Sequence, residues 1–229
     1  MFGLFIIIAL ASFLVQWRFK SKFAQYAEMP LTSGMSGKDV AEKMLLDHGI
    51  SNVRVVSVEG ELTDHYNPEE LTVNLSPEVY QGRSIAAAAV AAHECGHAVQ
   101  HAQAYAWLTL RTSIVPIVNV ASNLLRWVFM LGILMIASIF GQTLLLIAFG
   151  AMIVVTAFSL VTLPVELDAS RRALIWLTKN PNIMQANSEY NQAKDALWWA
   201  AMTYVVAALG AVAQLLYLAM MLFGGRRDN

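Results

Sequence analysis

The chain has 229 residues, of which 57% are hydrophobic and only 14% charged, with a mean hydropathy of +0.53. That balance is too apolar for an ordinary soluble domain of this size and points to a membrane protein. The net charge of −1 supplies no basic field of the kind that draws nucleic acid, so none is expected as a partner.

In chain order, residues 2–17 (FGLFIIIALASFLVQW) form an apolar run long enough to span a bilayer with help from its flanks. No basic stretch precedes it, and Arg18, Lys20 and Lys22 follow at once. The pattern predicts a retained anchor over 1–22 rather than a cleaved leader. Residues 23–112 are of mixed polarity, as a folded domain outside the bilayer would be. Within them Ser36 is placed to cap a helix through GKDVAEKMLLDH, which Gly49 would end. Asn52 to Val58 alternates like a short strand, Asp64 to Pro68 is turn-like, and Leu71 to Leu75 (LTVNL) is a second alternating strand. Ser76-Pro77-Glu78 starts a helix. A longer helix is expected from Ser84 to Leu110. Its IAAAAVAA stretch is too short to cross a bilayer but suited to close packing inside a small core.

Three further apolar runs follow. One covers about 114–140, with Arg126 obliged to snorkel or to face the bundle interior. After a break at Gly141-Gln142, another covers 143–163 and is ended by Pro164; the two form a hairpin over 113–164. A polar, helical segment at 165–195 leads to a fourth span within 196–229. With four spans, the 23–112 domain and the 165–195 segment lie on one side. Every lysine and arginine except Arg226 and Arg227 then falls on that side or, for Arg126, in the adjoining span. The positive-inside rule places that side in the cytoplasm, with the two C-terminal arginines as a minor contrary signal.

The chemistry is concentrated in His93-Glu94-Cys95-Gly96-His97. Residues four apart share a helical face, so both imidazoles can reach one metal ion, and Glu94 can hold a water without binding the metal. The competing reading is a pair of helix-face histidines satisfied by neighbours. Cys95, the single cysteine, forms no internal disulfide and lies off the histidine face; a small packed side chain is its expected role.

A catalytic zinc site needs a third protein ligand and leaves a fourth position for water. His101 lies on the same face but roughly 12 Å along the helix from His93, too far to share one ion. His48 beside Gly49 is more simply a helix-cap residue, and His65 in Asp64-His65-Tyr66 could approach from a loop. Glu166 and Asp168, in PVELDASRR, return to the motif's side after the two-span hairpin; an ordinary interfacial cluster with Arg171 and Arg172 is their alternative reading. Structural zinc, as in a membrane scaffold, favours four closed ligands, often thiolates, which one cysteine makes awkward.

Taken together, DHYNP, LTVNLSPEVY, HECGH, the hydrophobic hairpin and LPVELDASRRA resemble the YugP-type neutral zinc metallopeptidases of bacterial membranes and, more distantly, the gluzincin membrane proteases. The resemblance covers nearly the whole chain. It implies a multi-pass cell-membrane protein, mainly α, with a small α+β zincin-like metallopeptidase domain at the membrane face. It also implies peptide-bond hydrolysis of a protein or peptide substrate, one Zn2+ on His93, His97 and Glu166, and Glu94 as general base. The wider gluzincin pattern has an aspartate four residues after the ligand glutamate. Ser170 stands at that place here, with Asp168 two positions earlier, and either can support a ligand histidine. LTVNL fits either an edge strand that pairs with an extended substrate or, more simply, ordinary sheet, and His65 or Tyr66 is placed either to face the reacting carbonyl or to pack.

Overall fold

The computed structural model describes residues 2–60 and 62–224. Contacts divide the chain into two units. One comprises 1–13, 109–163 and 204–229, the other 14–108 and 164–203.

The second unit holds the small domain. Helix α1 (Phe2–Ala27) contributes its C-terminal part, followed by α2 (Gly37–Asp47), strands β1 (Arg54–Ser57), β2 (His65–Asn67) and β3 (Thr72–Leu75), the one-turn α3 (Pro77–Tyr80) and α4 (Ile85–Ala102). Ser36 caps α2 in both directions: its hydroxyl accepts from the Asp39 N–H, and the Asp39 carboxylate accepts from the Ser36 N–H. Gly49 ends that helix in the left-handed region (φ +69°), and the Ile50 N–H turns back to Leu45. Ser84 caps α4 through the Ala87 N–H.

The core forms where α4 packs on α2. Ala87, Ala88, Ala89, Ala91 and Ala92 are buried with Val40, Met44, Val73, Leu75 and Leu177. A run of alanine lets the helices approach closely, which is why an apolar stretch too short for a bilayer makes the centre of a domain instead.

The sheet differs from the sequence expectation. Its order is β1-β3-β2, with β1 parallel and β2 antiparallel to β3. The 64–68 segment read as a turn holds β2, so the strand within LTVNL, Thr72–Leu75, is central and buried along its length, and not an edge. The outer strands are β1 and β2. The long helix expected to Leu110 stops at Ala102: Ala104 takes a left-handed conformation (φ +49°), and a separate helix begins at Ala106.

The first unit is built from α5 (Ala106–Leu134), the N-terminal part of α6 (Ile139–Lys179) and the C-terminal part of α7 (Asn187–Phe223), with the start of α1. These four helices are long and apolar enough to cross a membrane. Many of their large side chains stay exposed, among them Ile7, Phe13, Ile117, Val120 and Ile139, as lipid-facing residues would be. Arg126 lines a cavity among Phe5, Ser122, Met152 and Gln214. The hairpin turn lies at 135–138, before Gly141, which is already inside α6. Helix α6 also runs on through Pro164, where a stop was expected. Proline removes one backbone bond, whereas ending the helix would orphan several carbonyls in apolar surroundings, so continuation wins. Arg226 and Arg227 lie outside the described residues.

Met44 is fully buried at the α2–α4 contact. Met44→Ala should lower stability by about 2–5 kcal/mol, read as a drop in the unfolding midpoint of the detergent-solubilised protein.

Candidate metal centre

His93 and His97 project from the middle turns of α4, and Glu166 from α6 just beyond Pro164. The Nε2 atoms of His93 and His97 lie 3.3 and 3.7 Å from Glu166 Oε2. One ligand atom from each of the three residues falls within 4.8 Å of the others. A tetrahedral zinc with bonds of about 2.0–2.1 Å has ligand-to-ligand edges of about 3.3–3.4 Å, so the spacing fits such an ion. The donor set fits as well: two imidazole nitrogens and one carboxylate oxygen.

Both rings are held by their far nitrogens. His93 Nδ1 is 3.1 Å from Ser170 Oγ, and His97 Nδ1 is 3.0 Å from Gln100 Oε1. With Nδ1–H donating to the Gln100 carbonyl oxygen, the His97 Nε2 lone pair faces Glu166, the tautomer a metal requires. Gln100 is fully buried, and its amide nitrogen donates to the Val165 carbonyl (2.8 Å) and to Asp168 (2.9 Å). Asp168 is in turn bound by Arg172. Ser170 and Asp168 thus divide the support of the histidines, the serine touching His93 directly and the aspartate reaching His97 through Gln100.

Gly96 explains how α4 comes so near α6. A Cβ at that position would lie 2.5 Å from the Ala169 carbonyl oxygen, so only glycine lets the two backbones meet there. The glutamate of the motif, Glu94, is 8% exposed, and its Oε2 accepts from the Tyr66 N–H at 3.1 Å. Tyr66 sits in β2, so an outer strand and the metal helix share this contact.

The remaining candidates fall elsewhere. His101 meets the Tyr66 hydroxyl (2.7 Å), His48 turns back on the Met44 carbonyl (2.8 Å), and His65 lies on β2 against Asn74 (3.3 Å) rather than in a loop. None joins the three-residue group. Cys95 is wholly buried, its thiol facing the Ala41 carbonyl, and burial pushes that thiol far above the usual range. It is therefore neither a ligand nor a nucleophile. The sequence showed Gln100 only as part of a polar flank of the helix; its contact with His97 was not read, although a position three residues on places it on the same helical face.

Burial pulls the His97 imidazole toward its neutral form, but the Glu166 carboxylate, by hydrogen bond and charge, outweighs this and raises its pKa above the usual 6.5. That holds for the metal-free protein, and it sets protons against metal at Nε2.

A family model described as "putative neutral zinc metallopeptidase" matches residues 1–223. A curated relative from Bacillus subtilis (strain 168), named "Putative membrane protease YugP", is 40% identical over 232 residues, covering 99% of this chain and 100% of its own length. No solved structure matches. The chain belongs to the neutral zinc metallopeptidase family, as the motif resemblance implied.

Two outcomes follow from this geometry. Gln100→Leu removes the acceptor for His97 Nδ1–H and should weaken zinc binding by about 10–100-fold in a chelator competition, with the helical content unchanged. Because the His97 pKa is raised, lowering the pH should cost apparent zinc affinity about tenfold per unit once that ring is protonated, measured between about pH 8 and pH 5.

Proposed function

We propose that this chain is a membrane-embedded zinc endopeptidase in which His93, His97 and Glu166 hold one zinc ion and Glu94 is the general base. The observation that carries the reading is the convergence of two Nε2 atoms and one buried carboxylate, with each histidine steadied through Nδ1. Three protein ligands leave a position for water, which is the catalytic rather than the structural pattern. A structural site would want a fourth ligand, and the one thiol is turned away.

Zinc bound there supplies Lewis acidity, polarising the scissile carbonyl and making a water acidic near neutral pH. Glu94 does the proton work. The Tyr66 N–H fixes one of its carboxylate oxygens, leaving the other to take a proton from the attacking water and pass it to the leaving amine nitrogen. Its low exposure keeps bulk water from competing for that proton. Ser170 and Gln100 keep both imidazoles from rotating during the reaction, so their nitrogens stay aimed at one point. Strand β2 is the outer strand beside Glu94, and an extended peptide lies along it, bound mainly through main-chain groups.

In this reading the peptidase part is a gluzincin-like, zincin-type domain made of 23–112 and 165–195. Residues 1–22, 113–164 and 196–229 hold it in the cell membrane. The distribution of lysine and arginine supports a cytoplasmic active site.

Glu94→Gln in the full-length detergent-solubilised protein should retain zinc and lose about 10²–10⁴-fold in the rate of peptide or casein cleavage. Undiminished cleavage by a zinc-loaded Glu94→Gln protein would remove Glu94 from the role of base.

A further inference from the structure

Away from Glu166, α6 presents a second face at Leu167, Arg171, Leu174 and Thr178, spaced by four, three and four residues. Helix α7 repeats the same spacing at Tyr190, Lys194, Leu197 and Ala201. Residues spaced in this way form one stripe on each helix. The two stripes line a groove of about 450 Å³ within the unit that holds the metal centre. Its apolar side chains include Leu167, Ile175 and Trp198, which are 44%, 43% and 56% exposed. Its cations are Arg171, Lys179 and Lys194, all exposed.

No carboxylate neutralises these cations. Every acidic side chain on the adjoining stretches of the two helices is engaged elsewhere. Glu166 faces the two histidines, Asp168 is bound to Arg172, and Asp195 to Lys22 and Tyr26. Glu189 accepts from the backbone N–H groups of Thr32 and Ala186. Among the described residues, none of the three cations takes part in an ion pair. A chain with a net charge of −1 has thus gathered three unpaired positive charges around one apolar groove.

A ligand complementary to that surface carries an anion at one end and hydrocarbon at the other. A free phosphate would leave the apolar side chains bare, and a neutral lipid would leave the cations without a partner. Both α6 and α7 are also long and apolar enough to cross a membrane, so the groove lies on helices suited to enter a bilayer. Trp198, apolar in body and polar at its N–H, is a residue type suited to the headgroup level. We infer that this groove is a binding site for an anionic phospholipid. Its anionic headgroup lies among Arg171, Lys179 and Lys194, and its acyl chains lie against Leu167, Ile175 and Trp198. Ser170 also lines the groove, which brings the lipid within one side chain of His93.

The test uses the full-length protein, delipidated in maltoside micelles, and the anisotropy of a tail-labelled phosphatidylglycerol. Unlabelled phosphatidylglycerol should compete, while phosphatidylcholine and inorganic phosphate should not. The triple substitution R171Q/K179Q/K194Q should weaken binding by about 100-fold, taking each cation near a lipid surface at its usual worth. An equal charge change elsewhere in the same unit, K20Q/K38Q/K43Q, should leave binding intact. The unfolding midpoint without lipid establishes that each variant is folded. If the triple variant does not fold, K194Q alone, on an exposed side chain, should weaken binding about fivefold. Competition by phosphate would make this a simple anion site and overturn the lipid assignment. Unchanged binding in the groove variant, or an equal loss in the control variant, would overturn the groove as its location. None of these readouts depends on peptidase activity.

Discussion

The close approach of α4 to α6 is the constraint on which this structure turns. A metal centre built from two helices distant in sequence needs its ligand atoms within a few ångströms, and bulky residues at the crossing would forbid it. The sequence meets this with Gly96, whose missing Cβ admits the Ala169 carbonyl, and with buried alanines along the preceding turns of α4. The fully buried Gln100 then ties the helices together, with one end of its amide on His97 and the other on the Val165 carbonyl and Asp168. An amide buried in this way is tolerable because its contacts are made; half-satisfied, it would destabilise the core.

The same crossing concentrates charge. Glu166 is 3% exposed, and burying an unpaired carboxylate is costly. The two imidazoles beside it, or a cation between the three groups, offset that cost. The site is therefore built around a positive charge. Since α6 also carries the apolar stretch that begins at Ile139, Glu166 stands on a helix that is itself long and apolar enough to cross a membrane.

Local features were legible from residues alone. Ser36 and Gly49 bound α2 where capping chemistry says they should, and the spacing of HECGH put two imidazoles on one helical face. The return of Glu166 to the histidines followed from counting apolar runs together with the family resemblance. What escaped notice depended on contacts between distant residues. The LTVNL pattern looks the same in an edge or a central strand, and only the pairing of β2, hidden in a turn-like DHYNP, makes it central. Helix ends failed where local rules met larger forces. Pro164 is overridden by the need to keep backbone groups bonded in apolar surroundings, and α4 stops early at Ala102, just before a left-handed Ala104, a residue type that gives no warning of such a turn. Gln100 carries no motif, and its role exists only because Val165 and Asp168 come to meet it.

The central claim is that one zinc ion is held by nitrogen and oxygen from three named side chains. The most direct test is the zinc K-edge absorption spectrum of the loaded full-length protein, with metal content measured alongside for Glu166→Gln. The account predicts about one zinc per chain, a shell of nitrogen and oxygen at about 2.0–2.1 Å, and loss of most of that metal in the variant under a chelator that leaves the wild type loaded. A sulfur at about 2.3 Å, which only Cys95 or a methionine could supply, or full zinc retention by Glu166→Gln, would contradict it.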